Sequence, residues 1–265
     1  MVDDDAVSAL ARDGVVVVRG LLSQLDIQVV EEGIDRVLDS LSPASRVASA
    51  GDDPGRFVED FCRWAELDEI SRTALRSPVP RVAAELMDSP TVRFYHDHVL
   101  VKEPHTKQPT PWHQDQPFYN VHGRGVSAWI PVDEVSKDAA PEFWAGSHRG
   151  PWRLPRSFLE QEAKWFPEGT LAEVPDIDAN RSNYDIRRWA VDPGDVIFFD
   201  FATVHSAPGN PSDRRRRVLS LRYLGGDARH AHRPWATSPN FPGLDQELAD
   251  GAEFDHPYFP VAWPR

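Results

Sequence analysis

The sequence predicts a mainly β protein, a jelly roll or barrel, standing behind a helical N-terminal third. Three observations carry this expectation. From Thr91 onward short apolar runs are separated by Pro, Gly and Asp, whereas before Thr91 apolar residues recur at helical spacing. No repeat of roughly 20 to 50 residues and no low-complexity tract divides the chain. With 265 residues, 40% of them hydrophobic, and with 13 Phe and 9 Trp, there is material for one large core.

Residues 5–13 read as a short helix leading into the β-branched run 15–18. Ser23, preceded by Leu22, caps a helix running to about residue 41, in which Ile27, Val30, Ile34 and Val37 repeat at helical spacing. After a loop at 51–54, residues 57–67 and 70–87 read as further helices, interrupted by Ser77, Pro78 and Pro80. Strands are expected at 92–102, 126–132, 142–144, 189–191, 195–199 and 218–224. The stretch 151–188 shows no strand and holds Trp152, Phe158, Trp165 and Phe166. It is too long for an ordinary connection and reads as a lid or binding insertion, or else as a surface excursion with its own aromatic cluster. The expected organisation is a single domain over 1–265: helical support over about 1–90, a core over 91–232 and a C-terminal coil over 233–265.

Composition narrows the function. A net charge of −13 repels polyanions, so neither nucleic acid nor an acidic membrane surface is an expected partner. No apolar run is long enough to span a bilayer, and the acidic start MVDDD does not read as a signal, so a cytoplasmic protein is expected. Cys62 is the lone cysteine, which excludes an internal disulfide and a cysteine-rich zinc site. Any metal must be held by His and carboxylate side chains. Oligomeric state is not legible.

Three side chains stand out in PWHQDQPFYN and FFDFATVHSAPGN: His113, Asp115 and His205. On an extended segment residues i and i+2 project to one side, so His113 and Asp115 can face one point, with His205 arriving from a distant strand end. Two His and one carboxylate on one face of a ferrous ion leave the opposite face open, as an oxygenase requires. The His-x-Asp pattern alone is weak, since roughly one is expected by chance at this composition. Eleven residues beyond His205, the segment RRRRVLSLRY places Arg216, Val218 and Ser220 on one strand face. A planar guanidinium there suits two-point capture of a carboxylate, with Ser220 adding a hydrogen bond. The other three arginines of that run read as a solvated basic turn.

A rival metal motif is His96, His98 and Glu103, spaced as in cupins, but the glycines of that motif are replaced by Pro90 and Thr110. His96 and His98 instead read as one strand face near the pocket. His105, His122, His148, His230, His232 and His256 sit in loop-like context and are expected to be solvated. Asp133 and Glu134 read as surface charge, and Cys62 as a small buried residue within a helix.

The ordered set PTPWHQDQPF, GVSAWIPVDEV, GSHRG, PGDVIFFDFATVHSAPGN and RRRRVLSLRY resembles the phytanoyl-CoA dioxygenase family of Fe(II)/2-oxoglutarate oxygenases. DGVVVVRGLLS, HDHVLVKEP and FPVAWP extend the resemblance over nearly the whole chain. It implies a double-stranded β-helix core, of jelly-roll or cupin-like type, flanked by helices. It also implies catalysis at iron held by His113, Asp115 and His205, and binding of the distal carboxylate of 2-oxoglutarate by Arg216. Trp129 falls where the family has an aromatic residue beside the cosubstrate, and Lys102 lies in the segment before the metal loop. One departure is AAPEFWAGSH after Asp138, where the family pattern has a glycine-containing turn. The family's halogenating relatives lack the carboxylate, so Asp115 favours hydroxylation.

The expected reaction is oxidation, by default hydroxylation, of a small molecule of bacterial secondary metabolism with O₂ and 2-oxoglutarate, yielding succinate and CO₂. Expected substrate contacts are His98, Gln116, Phe118, Tyr119, Trp152 and Trp165, suiting an apolar molecule better than a coenzyme A thioester. The alternatives are a cupin-like metal-dependent isomerase or lyase, and a non-catalytic 2-oxoglutarate-binding protein.

Overall fold

The computed structural model describes residues 2–157, 166 and 169–264. In chain order it contains α1 (Asp4–Asp13), β1 (Val15–Val18), α2 (Gln24–Asp39), β2 (Arg46–Val47), β3 (Phe57–Phe61), α3 (Asp68–Arg76), α4 (Val79–Leu86), β4 (Val92–Lys102) and β5 (Thr110–His113). There follow β6 (Val121–His122), β7 (Gly125–Pro131), β8 (Glu142–Trp144), β9 (Ile186–Arg187), β10 (Val196–Asp200), β11 (His205–Ala207), β12 (Arg216–Gly225), β13 (Arg229–His230), α5 (Leu244–Glu247) and β14 (Val261–Trp263).

The strands form a large antiparallel sheet in the order β1-β10-β7-β12-β4-β3-β2, with β14 also on β4. A smaller sheet runs β5-β11-β8-β9, and β13 pairs with β6. Alternation along the strands divides the large sheet into two faces. One face, including Val99, Val101, Ala128, Ile130, Phe198, Leu219 and Leu221, packs with Val30, Ile34 and Val37 of α2, Ile70 of α3 and Val82 of α4. The other face, including Trp129, Ile197, Phe199 and Val218, packs with Phe143 of the small sheet. The functional positions lie on this second face.

The helix signals over 5–13, 23–41 and 70–87 are met by α1, by α2 and by the pair α3 and α4, the last two without a side-chain cap. Ser23 and Asp26 form a reciprocal capping box at the start of α2. Residues 57–67, read as a helix, instead contain β3, which pairs with β4 in the register Phe57↔Lys102 and Phe61↔His98. The apolar spacing of Phe57, Phe61 and Trp64 fits a helix, but pairing along β4 wins, and Cys62, at φ 59°, ends the strand. Cys62 therefore closes a strand and is not a helical residue. The N-terminal third supplies α1–α4 and also β1, β2 and β3 to the large sheet. The strand expected at 189–191 reduces to a bridge between Val135 and Val191, because the chain here crosses from the small sheet to the large one. The tail beyond residue 233 is more ordered than coil: β14 joins β4, and Phe254 and Phe259 pack with Tyr95. Among the described residues no helix is long and apolar enough to cross a membrane.

Ile34 is fully buried between α2 and the large sheet, whereas Leu25 on the same helix is 62% exposed. Ile34→Ala should lower unfolding free energy by about 3 kcal/mol, and Leu25→Ala by less than about 0.5 kcal/mol, in urea denaturation. Equal costs would contradict this packing.

Candidate metal centre and cleft

His113 ends β5 and His205 begins β11, and the antiparallel register sets the two residues opposite each other. Their ring centroids lie 4.2 Å apart. In each ring Nδ1 faces the carbonyl two residues earlier: Pro111 O at 2.8 Å and Thr203 O at 2.9 Å. A carbonyl can only accept, so each Nδ1 carries the hydrogen and each Nε2 keeps its lone pair. Asp115 follows His113 by two residues and leads into a short 3₁₀ turn, Gln116–Phe118, tethered by Gln116 N donating to Phe201 O at 2.8 Å. Asp115 Oδ1 lies 3.7 Å from His113 Nε2 and 3.9 Å from His205 Nε2. The three donor atoms thus converge within 4.8 Å of one another, the nitrogen and oxygen set that a divalent transition metal takes.

The loop before His205 is held from the other end of the chain. Thr203 Oγ1 donates to Gly14 O at 2.8 Å, and Val204 N to Ser147 Oγ at 2.9 Å. Gly14 caps α1 at φ +76°, and a Cβ there would stand 2.4 Å from Thr203 Oγ1. Glycine here lets α1 turn into β1 while its backbone touches the loop that carries His205.

At the triad opens a cleft lined by residues of both sheets. Of the positions singled out from sequence, His98, Phe118, Tyr119, Trp129 and Ser220 line it. Gln116 and Trp152 do not. Gln116 Nε2 donates to Val121 O at 2.7 Å, and Trp152 lies under the Arg233 guanidinium at 4.8 Å. Trp165 and Phe158 lie outside the described residues. The wall is also more polar than an apolar-substrate reading implies, since Arg46, Glu59, His96, Arg156 and Arg222 line it as well. Glu59 escaped the sequence reading because its strand read as helix. Arg222 was legible, because the alternation that aligns Arg216, Val218 and Ser220 extends to it. Among the described residues His96 Nε2 and Ser220 Oγ are buried without a hydrogen-bond partner, and His98 Nε2 lies 3.1 Å from Glu59 Oε1.

Lys102 and Arg216, which face each other across the β4–β12 pairing, are both buried and are not among the residues that line the cleft. Lys102 Nζ donates to Gln108 O and Pro208 O, each at 2.9 Å, and Arg216 bonds to Ala139 O and Pro208 O. Neither forms an ion pair with a carboxylate among the described residues. The neighbouring arginines behave differently: Arg215 pairs with Glu103, and Arg217 with Asp133, Glu31 and Asp35. Glu103 is thereby turned away from His96 and His98, and the cupin-type trio is not assembled. His230, expected to be solvated, is fully buried, with Nε2 within 3.1 Å of Asn120 Nδ2. It groups with His232 and Asp245, but His232 Nε2 is already bonded to Leu248 O at 3.0 Å.

Burial and the neighbouring His113 push His205 down to about 3. Burial also lowers His96 and His98, with the Arg222 charge adding to the effect. Burial opposes ionisation of Asp115, but the Arg222 charge leads the influences that hold the carboxyl well below its ordinary range. Desolvation alone brings Arg216 down to about 10, and Lys102 falls through burial and the Arg216 charge. A neutral His205 therefore sits beside an ionised Asp115.

A family model described as phytanoyl-CoA dioxygenase matches residues 10–218. L-proline trans-4-hydroxylase from Streptomyces griseoviridis is 28% identical over 233 residues, covering 83% of this chain and 85% of that protein. The epimerase SnoN in complex with Fe3+, alpha ketoglutarate and nogalamycin RO has TM-score 0.79 at 22% identity, covering 98% of each chain. The alpha ketoglutarate dependent carbocyclase SnoK from nogalamycin biosynthesis has TM-score 0.74 at 22% identity, covering 98% of this chain and 96% of its own. EctD from S. alaskensis, solved with 2-oxoglutarate and 5-hydroxyectoine, has TM-score 0.69 at 18% identity, covering 95% of this chain and 85% of its own. These likenesses show a shared fold.

The buried imidazoles give the metal-free protein a pH dependence of known sign. Unfolded histidines take up protons near pH 6.5 while the folded ones stay neutral, so stability falls as pH falls below that value. Asp97, raised by burial to about 6, opposes this with one group. Unfolding free energy should drop between pH 7 and pH 5 in urea denaturation with chelator present. In His96→Gln the drop should be about 2 kcal/mol smaller, and an unchanged drop would contradict the burial of a neutral His96.

Proposed function

We propose a reaction for this chain, which belongs to the phytanoyl-CoA dioxygenase family: hydroxylation of a small organic molecule in the cleft between the two sheets. The chain is a non-haem Fe(II)/2-oxoglutarate-dependent dioxygenase. The observation that carries the finer reading is the coexistence of the converging His113, Asp115 and His205 donors with buried Arg216 and Lys102, which have no carboxylate partner among the described residues. In this reading the core is the double-stranded β-helix, and 1–265 is one oxygenase domain.

When bound, Fe(II) and 2-oxoglutarate supply the oxidising power that activates O₂ and removes a substrate hydrogen, with succinate and CO₂ as coproducts. His113 and His205 offer Nε2, each ring fixed by its Nδ1 bond to a backbone carbonyl. Asp115 offers Oδ1. Arg216 takes the distal carboxylate of the cosubstrate, and Lys102 contributes positive charge at the same end while clamping the backbone at Gln108 and Pro208. Trp129, Phe143 and Phe199 exclude water along the cosubstrate, and Ser220 offers it a hydroxyl. His98, Phe118 and Tyr119 face the substrate, with His96 and Glu59 adding hydrogen-bonding groups.

The substrate this wall suits is compact, with an apolar body and polar groups, of the kind found in bacterial secondary metabolism. L-proline, the substrate named for the 28% identical relative, is the first compound to test.

Anaerobic addition of Fe(II) and then 2-oxoglutarate should produce the visible charge-transfer band of the chelate. The band should vanish in His113→Ala. In Arg216→Ala the affinity for 2-oxoglutarate should fall at least about tenfold, the loss of a buried charged hydrogen bond. An iron-loaded, folded protein that forms no band would contradict the proposal.

A further inference from the structure

Asp115 presents its two oxygens to different surroundings. Oδ1 faces His113 and His205, while Oδ2 accepts from Ser127 Oγ at 2.8 Å and lies 3.4 Å from Arg222 Nη2. Arg222 is itself fixed at two further points: Nε donates to Tyr119 Oη at 3.0 Å and Nη1 to Ser220 O at 2.9 Å. Arg222 is 5% exposed and Ser127 is fully buried, so neither bond competes with bulk water. The strand register sets the pair together, since Arg222 on β12 stands directly opposite Ser127 on β7. A slip of one residue in that pairing would turn one of them to the helix-covered face.

The geometry points to Arg222 and Ser127 as positioning residues for Asp115. They occupy Oδ2 and so commit the carboxylate to one-oxygen ligation through Oδ1, on the side facing the two imidazoles. This assignment rests on the metal reading of the preceding subsection and adds a division of labour between two buried arginines. Arg216 serves the cosubstrate, and Arg222 serves the metal ligand. A carboxylate with both oxygens free can rotate and chelate through both, occupying a position the cosubstrate or O₂ needs. Held at Oδ2 by a hydroxyl and a guanidinium, it has one oxygen to give.

The test is Mn(II) binding, followed by the EPR signal of the free ion without cosubstrate or turnover. Wild type, Arg222→Met, Arg222→Lys, Ser127→Ala and Arg216→Ala are compared. Loss of an outer partner of a ligand weakens metal binding about 10- to 100-fold. Arg222→Met should fall in that range, Ser127→Ala near its lower end, and Arg222→Lys between wild type and Met. Arg216→Ala should keep the wild-type affinity. The charge-transfer band of the anaerobic Fe(II) and 2-oxoglutarate complex should shift in Ser127→Ala, whereas Ile34→Ala, destabilised elsewhere in the fold, should change neither readout. Wild-type Mn(II) affinity and an unshifted band in Ser127→Ala, and in Arg222→Met if it folds, would overturn the assignment. Absence of Mn(II) binding in wild type would instead overturn the metal centre, and this assignment with it.

Discussion

The structure turns on one local constraint: two imidazoles on facing strands, each held by a hydrogen bond from Nδ1 to the carbonyl two residues before it. That bond fixes the tautomer, and the strand register fixes the spacing, so both Nε2 lone pairs meet Asp115 Oδ1. Bringing neutral imidazoles and a carboxylate together away from water has a desolvation cost that hydrogen bonds to carbonyls only partly offset. The remainder of the fold supports this arrangement. The α1 to β1 corner at Gly14 braces the loop before His205, and the large sheet carries Ser127 and Arg222 to the outer oxygen of Asp115.

The electrostatics invert from surface to interior. The chain carries a net charge of −13, yet the second face of the large sheet buries Lys102, Arg216 and Arg222. Arg222 has Asp115 beside it, while Lys102 and Arg216 rest on backbone carbonyls. Buried charge is strongly destabilising unless it meets an opposite charge. The proposed binding of an anionic cosubstrate would supply the opposite charge that Arg216 and Lys102 lack among the described residues.

Much of this was legible in the sequence, for identifiable reasons. Capping at Ser23, the β-branched run of β1 and the long alternating strand β4 are local signals, and the structure follows them. The alternation in RRRRVLSLRY separated the faces of β12 and marked Arg216 as distinct from Arg215 and Arg217, whose partners are surface carboxylates. What failed was set by distant pairing. Residues 57–61 have helical apolar spacing but become β3 because β4 offers a partner, and this hid Glu59 and Phe61 as cleft residues. His230 is buried by a tail that a Pro-rich sequence does not reveal as ordered. Gln116 was placed by proximity to the motif in sequence and Trp152 by its place in the aromatic-rich insertion, but the turn after Asp115 directs Gln116 to backbone and Trp152 lies under the Arg233 guanidinium.

The central claim is that one divalent metal sits among His113 Nε2, Asp115 Oδ1 and His205 Nε2. Diffraction from crystals grown anaerobically with Fe(II), measured on both sides of the iron absorption edge, tests it without reference to any substrate. The account predicts a single anomalous peak about 2.0 to 2.2 Å from those three atoms, the distance usual for nitrogen and oxygen ligands of a first-row metal. A peak at His230 and Asp245, at His96 and His98, or at no protein ligand would contradict it.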